Sequence, residues 1–134
     1  MNKLLKSRKY NTHLLCASSL VYLLAGLAVF NKNVYLAILL FAVTVFSVAY
    51  HNNFKNFNFK ALDWTFGAIL LFYVFYILKI QYDLNIIVFL SLLVSFRIID
   101  HIFFKTKHYG MFSYSHSVWH VISGLAIILM VALA

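Results

Sequence analysis

The sequence predicts an all-α integral membrane protein: a single domain, residues 1–134, folded as a bundle of five transmembrane helices. Three observations predict it. The chain is 64% hydrophobic and 10% charged, where soluble domains average about 45–50% apolar and about 25% charged residues. Its apolar residues fall into five runs, each near the roughly 20 residues that cross a bilayer. Short polar stretches separate the runs, and the absence of proline leaves no proline kink in any of them.

The expected spans are approximately 14–30, 34–50, 62–78, 84–104 and 116–134. The first follows a basic stretch, MNKLLKSRKY, as a signal peptide would. HLLC is faintly similar to a lipoprotein box, but Cys16 stands near the start of the apolar run rather than after it. An uncleaved first membrane helix is therefore expected. The separators are NKN (31–33), HNNFKNFNFK (51–60), KIQYD (79–83) and KTKHYGMFSYS (105–115). Cys16 is the single cysteine, which excludes an intrachain disulfide. Gly26, Gly67 and Gly124 are candidates for close helix contact.

The net charge is +8, from 11 basic and 3 acidic residues. In a soluble chain that balance would point to nucleic acid. Here the basic residues lie mostly in short loops, so topology accounts for them and no nucleic-acid partner is expected. Five spans put the N-terminus and loops 51–60 and 105–115 on one side. Lys3, Lys6, Arg8, Lys9, Lys55, Lys60, Lys105 and Lys107 lie there, with Arg97 toward that end of span four; Lys32 and Lys79 lie opposite. Nine against two makes the N-terminal side cytoplasmic. A composition rich in Lys, Asn, Ile and Phe points to a bacterial inner membrane.

Polar residues placed on this frame converge. His51 ends span two, Asp63 opens span three, and His116 and His120 open span five, all at the cytoplasmic end. His116 and His120 stand four apart, so they share a helix face. Ser47 and His51 repeat that spacing, with the hydroxyl one turn deeper. Three histidines with a fourth position open form a catalytic zinc arrangement, in which bound water becomes acidic near neutrality. Asp63 would take a proton from that water or hold it, and Ser47 would hydrogen-bond the water or a developing oxyanion. Taken singly, each has a plainer reading: interfacial histidines, a helix-capping Asp, a serine bonded between helices.

SVAYH (47–51), LD (62–63) and HSVWH (116–120) together resemble the CREST superfamily, whose members include alkaline ceramidases, the adiponectin and progestin receptors, lipid-remodelling proteins and the myomaker group. The shared pattern is Ser-x-x-x-His at the end of one span, Asp at the start of the next, and His-x-x-x-His in the last. The resemblance implies Zn2+ on His51, His116 and His120, with Asp63 and Ser47 at the zinc-bound water. It implies hydrolysis of a membrane lipid amide or ester, ceramidase-like or phospholipase-like. The family usually has seven spans, with three between the Asp-bearing span and the last; here there is one. Parity is kept, but walls of the lipid chamber are lost. The open flank is therefore expected to face lipid or a second copy, as a homodimer.

Two other functions stay open: a haem-binding membrane electron carrier, and a non-catalytic receptor or scaffold with a structural zinc. Haem normally takes histidines from facing helices, whereas residues four apart on one helix suit a small ion. In RIIDHIFF (97–104), Arg97 and Asp100 read as an ion pair three apart. Alternatively, Asp100 orients a ligating histidine. His101 is a reserve ligand; His13 and His108 read as interfacial or loop residues.

Overall fold

The computed structural model describes residues 10–78 and 84–133. Of the basic residues in the charge count, Lys3, Lys6, Arg8, Lys9 and Lys79 lie outside this set, as does the 79–83 separator. The described residues form five helices and no strand: α1 Thr12–Val29, α2 Val34–Asn52, α3 Phe57–Leu78, α4 Leu84–Lys105 and α5 Tyr109–Leu133. Among the described residues, four stretches are long and apolar enough to cross a membrane: Thr12–Val29, Val34–Asn52, Phe57–Tyr76 and Tyr109–Ala132.

Asparagine starts three of the helices. The side chains of Asn11, Asn33 and Asn56 accept from the backbone N–H groups of Leu14, Leu36 and Phe59 at 3.1, 2.9 and 3.3 Å, satisfying donors that a helix start leaves free. The α4–α5 turn is a Schellman closure. His108 N donates to Phe103 O at 2.9 Å and Lys107 N to Phe104 O at 3.2 Å, with Lys107 in the left-handed region at φ 61°.

α3 and α5 begin before the expected apolar spans, at Phe57 and Tyr109. The polar residues of 57–61 and 109–115 therefore mark the bundle's rim, not the helix ends. This shifts two site residues. Asp63 is the seventh residue of α3, so it does not cap that helix; Asn56 does. His116 lies two turns inside α5 rather than at its mouth. Phe112, His116 and His120 are all buried and fall at intervals of four, so one face of α5 faces the interior continuously.

α1 packs against α2 and α5, α2 also against α3, and α5 also against α4. The helices thus form an arc in the order α3, α2, α1, α5, α4, with a cavity between its two ends. Small residues hold the arc tight. A β-carbon on Gly26 would lie 2.5 Å from the Phe41 ring, and one on Gly124 would lie 2.9 Å from Val21 Cγ1. Gly67 has nothing within 4 Å; it lines the cavity instead. At one end of the bundle, the Lys32 ammonium donates to Val131 O at 3.0 Å, at the C-terminus of α5. At the other, Tyr10 stacks on Phe54 with ring centres 4.2 Å apart and lies against Tyr109 at 4.5 Å.

Candidate metal centre

The aromatic end of the bundle covers three histidines. His51 comes from the last turn of α2, and His116 and His120 from α5. Their ring centres lie 5.2 Å (51–116), 5.4 Å (51–120) and 4.5 Å (116–120) apart. One nitrogen from each falls within 4.8 Å of the others. A tetrahedral zinc with Zn–N bonds of about 2.0–2.1 Å separates its ligands by about 3.3 Å. Three buried histidines are therefore close enough to bind one metal ion.

His51 supplies the independent test of fit. It is 0% exposed, and neither ring nitrogen has a hydrogen-bond partner. A buried polar group left unpaired costs about 1–3 kcal/mol, so an orphaned imidazole needs a reason. A metal on one of its nitrogens is one.

The other two rings are oriented by their Nδ1 atoms. His116 Nδ1 lies 2.8 Å from Asp100 Oδ2; Asp100 is 1% exposed. Arg97 NH1 lies 3.0 Å from the same Nδ1. Both contacts cannot be hydrogen bonds, since guanidinium only donates and an ionised carboxylate only accepts. The shorter contact, to the charged acceptor, decides. Nδ1–H donates to Asp100, and Arg97 pairs with the same carboxylate at 3.5 Å. The Ser115 hydroxyl donates to the other oxygen, Asp100 Oδ1. Asp100 thus keeps the expected ion pair with Arg97 and adds a closer contact to His116 on α5.

His120 is held in the same way by α1. The hydroxyls of Ser18 and Ser19 both point at Leu15 O, at 2.9 and 2.8 Å. Their oxygens then face His120 Nδ1 at 3.0 and 3.3 Å as acceptors. With Nδ1 protonated on both rings, Nε2 is left as the ligating atom of each. Carboxylate or hydroxyl support of the far nitrogen is usual for metal-binding histidines.

Ser47 is buried and lies 3.0 Å from Ser19 Oγ. Asp63 interacts with Ser47 across the α2–α3 contact. Both line the cavity, as do His116 and His120; His51 stands behind them. The cavity has a volume of about 490 Å³ and otherwise consists mainly of apolar side chains of α3 and α5, from Trp64 to Phe75 and from Trp119 to Met130. Four of the five predicted site residues therefore line one cavity, and His51 packs against two of them, His116 and His120, from behind. His101 is exposed, as are His13 and His108, and none joins the cluster.

Ser18, Ser19, Ser115 and the cavity-lining Arg97 were not assigned to the site from sequence. The adjacent serines in CASSLVY were the available signal: two hydroxyls on one turn of an apolar helix need partners.

No protein-family model, no curated protein and no solved structure matches the chain.

Proposed function

We propose that the protein is a zinc-dependent intramembrane hydrolase that cleaves a lipid amide or ester, a reduced five-span relative of the CREST superfamily. One observation carries this reading. Three buried imidazoles converge on one point, and Asp63 and Ser47 share the same apolar cavity. A structural zinc has no use for a carboxyl and a hydroxyl beside an open, apolar chamber. Ring centres 4.5–5.4 Å apart leave no room for a porphyrin between the histidines, which counts against the haem reading.

His51, His116 and His120 would hold the ion. When bound, zinc supplies Lewis acidity, polarising a carbonyl and making water acidic near neutral pH. Asp63 accepts a proton as water attacks the carbonyl carbon. The Ser47 hydroxyl would turn from its partners Ser19 and Asp63 to donate to the oxygen on which negative charge develops. The C–N or C–O bond then breaks, and Asp63 returns the proton to the departing nitrogen or oxygen. Asp100, Ser18 and Ser19 take no part in the proton transfer; they fix the rings.

The cavity extends along α3 from Asp63 to Phe75, about 18 Å at 1.5 Å per residue. A chamber of that length with an apolar lining suits an acyl chain. Substrate enters from the bilayer between α3 and α4. In this reading the histidine end lies at the cytoplasmic face of a bacterial inner membrane, following the nine-to-two count of basic residues. A second copy against the α3–α4 flank would make the homodimer version, which crosslinking that recovers only monomers would remove.

Metal analysis and a lipid screen test the reading together. About one zinc per colourless chain is expected, with hydrolysis abolished in Asp63→Asn at full zinc content. A Soret band, or an unchanged rate in Asp63→Asn, overturns it.

A further inference from the structure

Arg97 has no role in the hydrolytic step above, yet it lines the same cavity as the histidines. Its guanidinium carbon lies 5.1 Å from the Trp119 ring centre and 5.8 Å from that of Trp64. It therefore stands between α5 and α3, at the gap in the arc. Only NH1 has an acceptor, Asp100 at 3.5 Å; Nε and NH2 have no hydrogen-bond partner among the described residues. Nor does Asp100 neutralise Arg97 fully, because its shorter bonds go to His116 and Ser115.

Arg97 therefore keeps free donors on the wall of a mostly apolar chamber, in which Asp63 is the other charged group. Water could serve an exposed arginine, but the Arg97 side chain is only 38% exposed, and both its flanks are tryptophan rings. We infer that Arg97, held over the Trp119 ring, binds an oxyanion, a carboxylate or a phosphate, carried on the head of an acyl lipid.

The placement determines where that anion sits. Arg97 NH1 lies 3.0 Å from His116 Nδ1, so an anion on the guanidinium would share one end of the chamber with the carbonyl to be cut. N-acyl amino acids and lysophosphatidic acids both carry an oxyanion near such a carbonyl. Neutral acyl ethanolamides and monoacylglycerols do not. The planar fork of arginine takes either anion through two parallel bonds. This inference rests on the hydrolase reading for the carbonyl, but the anion site itself does not need the metal.

The molecule provides its own reporter. It has two tryptophans, and both flank Arg97. Intrinsic fluorescence of the full chain in neutral detergent should therefore respond to the anion directly. The probes are four lipids of one chain length: N-acylglycine, acyl ethanolamide, lysophosphatidic acid and monoacylglycerol. At least one anionic probe should bind about ten- to a hundredfold more tightly than its neutral partner, the range expected for a charge-assisted bond. Which anionic probe gains more tells carboxylate from phosphate. Arg97→Gln should abolish the preference, Arg97→Lys should retain part of it, and Trp119→Phe, read through Trp64, should weaken it.

Equal binding of anionic and neutral probes by the wild type overturns the inference, as does a preference that survives unchanged in both Arg97→Gln and Trp119→Phe. Arg97→Lys keeps the charge beside Asp100 and guards against loss of fold in the glutamine variant. Zinc content, measured on the same samples, separates the two claims. Anion preference without zinc supports this site and removes the hydrolase; zinc without preference does the reverse.

Discussion

Asp100→Asn isolates the carboxylate behind His116. The exchange changes no volume, and the amide fits the same partners. Its oxygen can accept from His116 Nδ1, and its NH2 can donate to Ser115 Oγ, whose own hydrogen then turns to Phe112 O, 3.3 Å away. What is lost is charge. A bond to an ionised acceptor contributes about 1.5–3 kcal/mol and a neutral one about 0.5–1.5 kcal/mol. The difference, about 1–1.5 kcal/mol, corresponds to roughly tenfold in affinity. It falls on zinc binding, because His116 must stay oriented and electron-rich to donate through Nε2. Loss of an outer partner of this kind typically weakens a metal site about 10- to 100-fold. Competition of the purified protein against a chelator of known affinity measures the change, with thermal unfolding as a check on fold. His116→Ala, which removes a proposed ligand outright, sets the scale and should lose zinc altogether. A zinc affinity within about twofold of wild type in Asp100→Asn would refute the argument that Asp100 supports a ligand, and would return it to the role of partner for Arg97.

Other perturbations probe other links. Ser18→Ala removes the nearer acceptor from His120 Nδ1; Ser19 remains at 3.3 Å, so zinc affinity in the same chelator assay should fall less than in Asp100→Asn, by about tenfold at most. Gly67→Leu projects a side chain into open space rather than into a neighbour; it should block acyl-lipid binding while zinc content stays constant. Gly124→Ala forces a methyl against the stiff Val21 side chain at 2.9 Å, and overpacking of this kind should cost about 1–3 kcal/mol of stability. Lys107→Gly relieves a left-handed residue at the Schellman turn and should raise stability by about 1 kcal/mol, read as a higher midpoint with the metal site untouched.

Helix count, helix order and the shared end of the site were legible because they rest on periodicity and parity. Residues four apart on a helix must share a face, and each crossing reverses direction. His51, at the end of the second helix, and His116, early in the fifth, therefore meet whatever fills the space between. Helix ends were less legible. Asn56 and Tyr109 start helices within stretches that composition marks as loop, because a helix can run past its apolar section as long as its first N–H groups are capped. Helix neighbours were not legible at all. No periodicity says that α1 lies between α2 and α5, so no sequence argument could bring Ser18 and Ser19 to His120, 102 and 101 residues away.

α4 shows how a correct local pattern gives only part of the account. Arg97 and Asp100 stand three apart and satisfy the rule for a helical ion pair, so the sequence offers a self-contained account of both. In the fold that pair is the longer contact, 3.5 Å against 2.8 Å for Asp100 with His116. A buried carboxylate follows the partners that complete its solvation, and α5 supplies two of them, His116 and Ser115. Arg97 is left with free donors beside the cavity. One geometric fact, the turn of Asp100 toward α5, thus gives His116 a carboxylate partner and leaves Arg97 with spare donors beside the cavity. The two consequences separate experimentally. Asp100→Asn should lower zinc affinity while leaving anion preference intact or stronger, because it removes the negative charge that competes for Arg97. Weaker anion preference in that variant would mean that Asp100 positions the guanidinium, and that the two functions share one support.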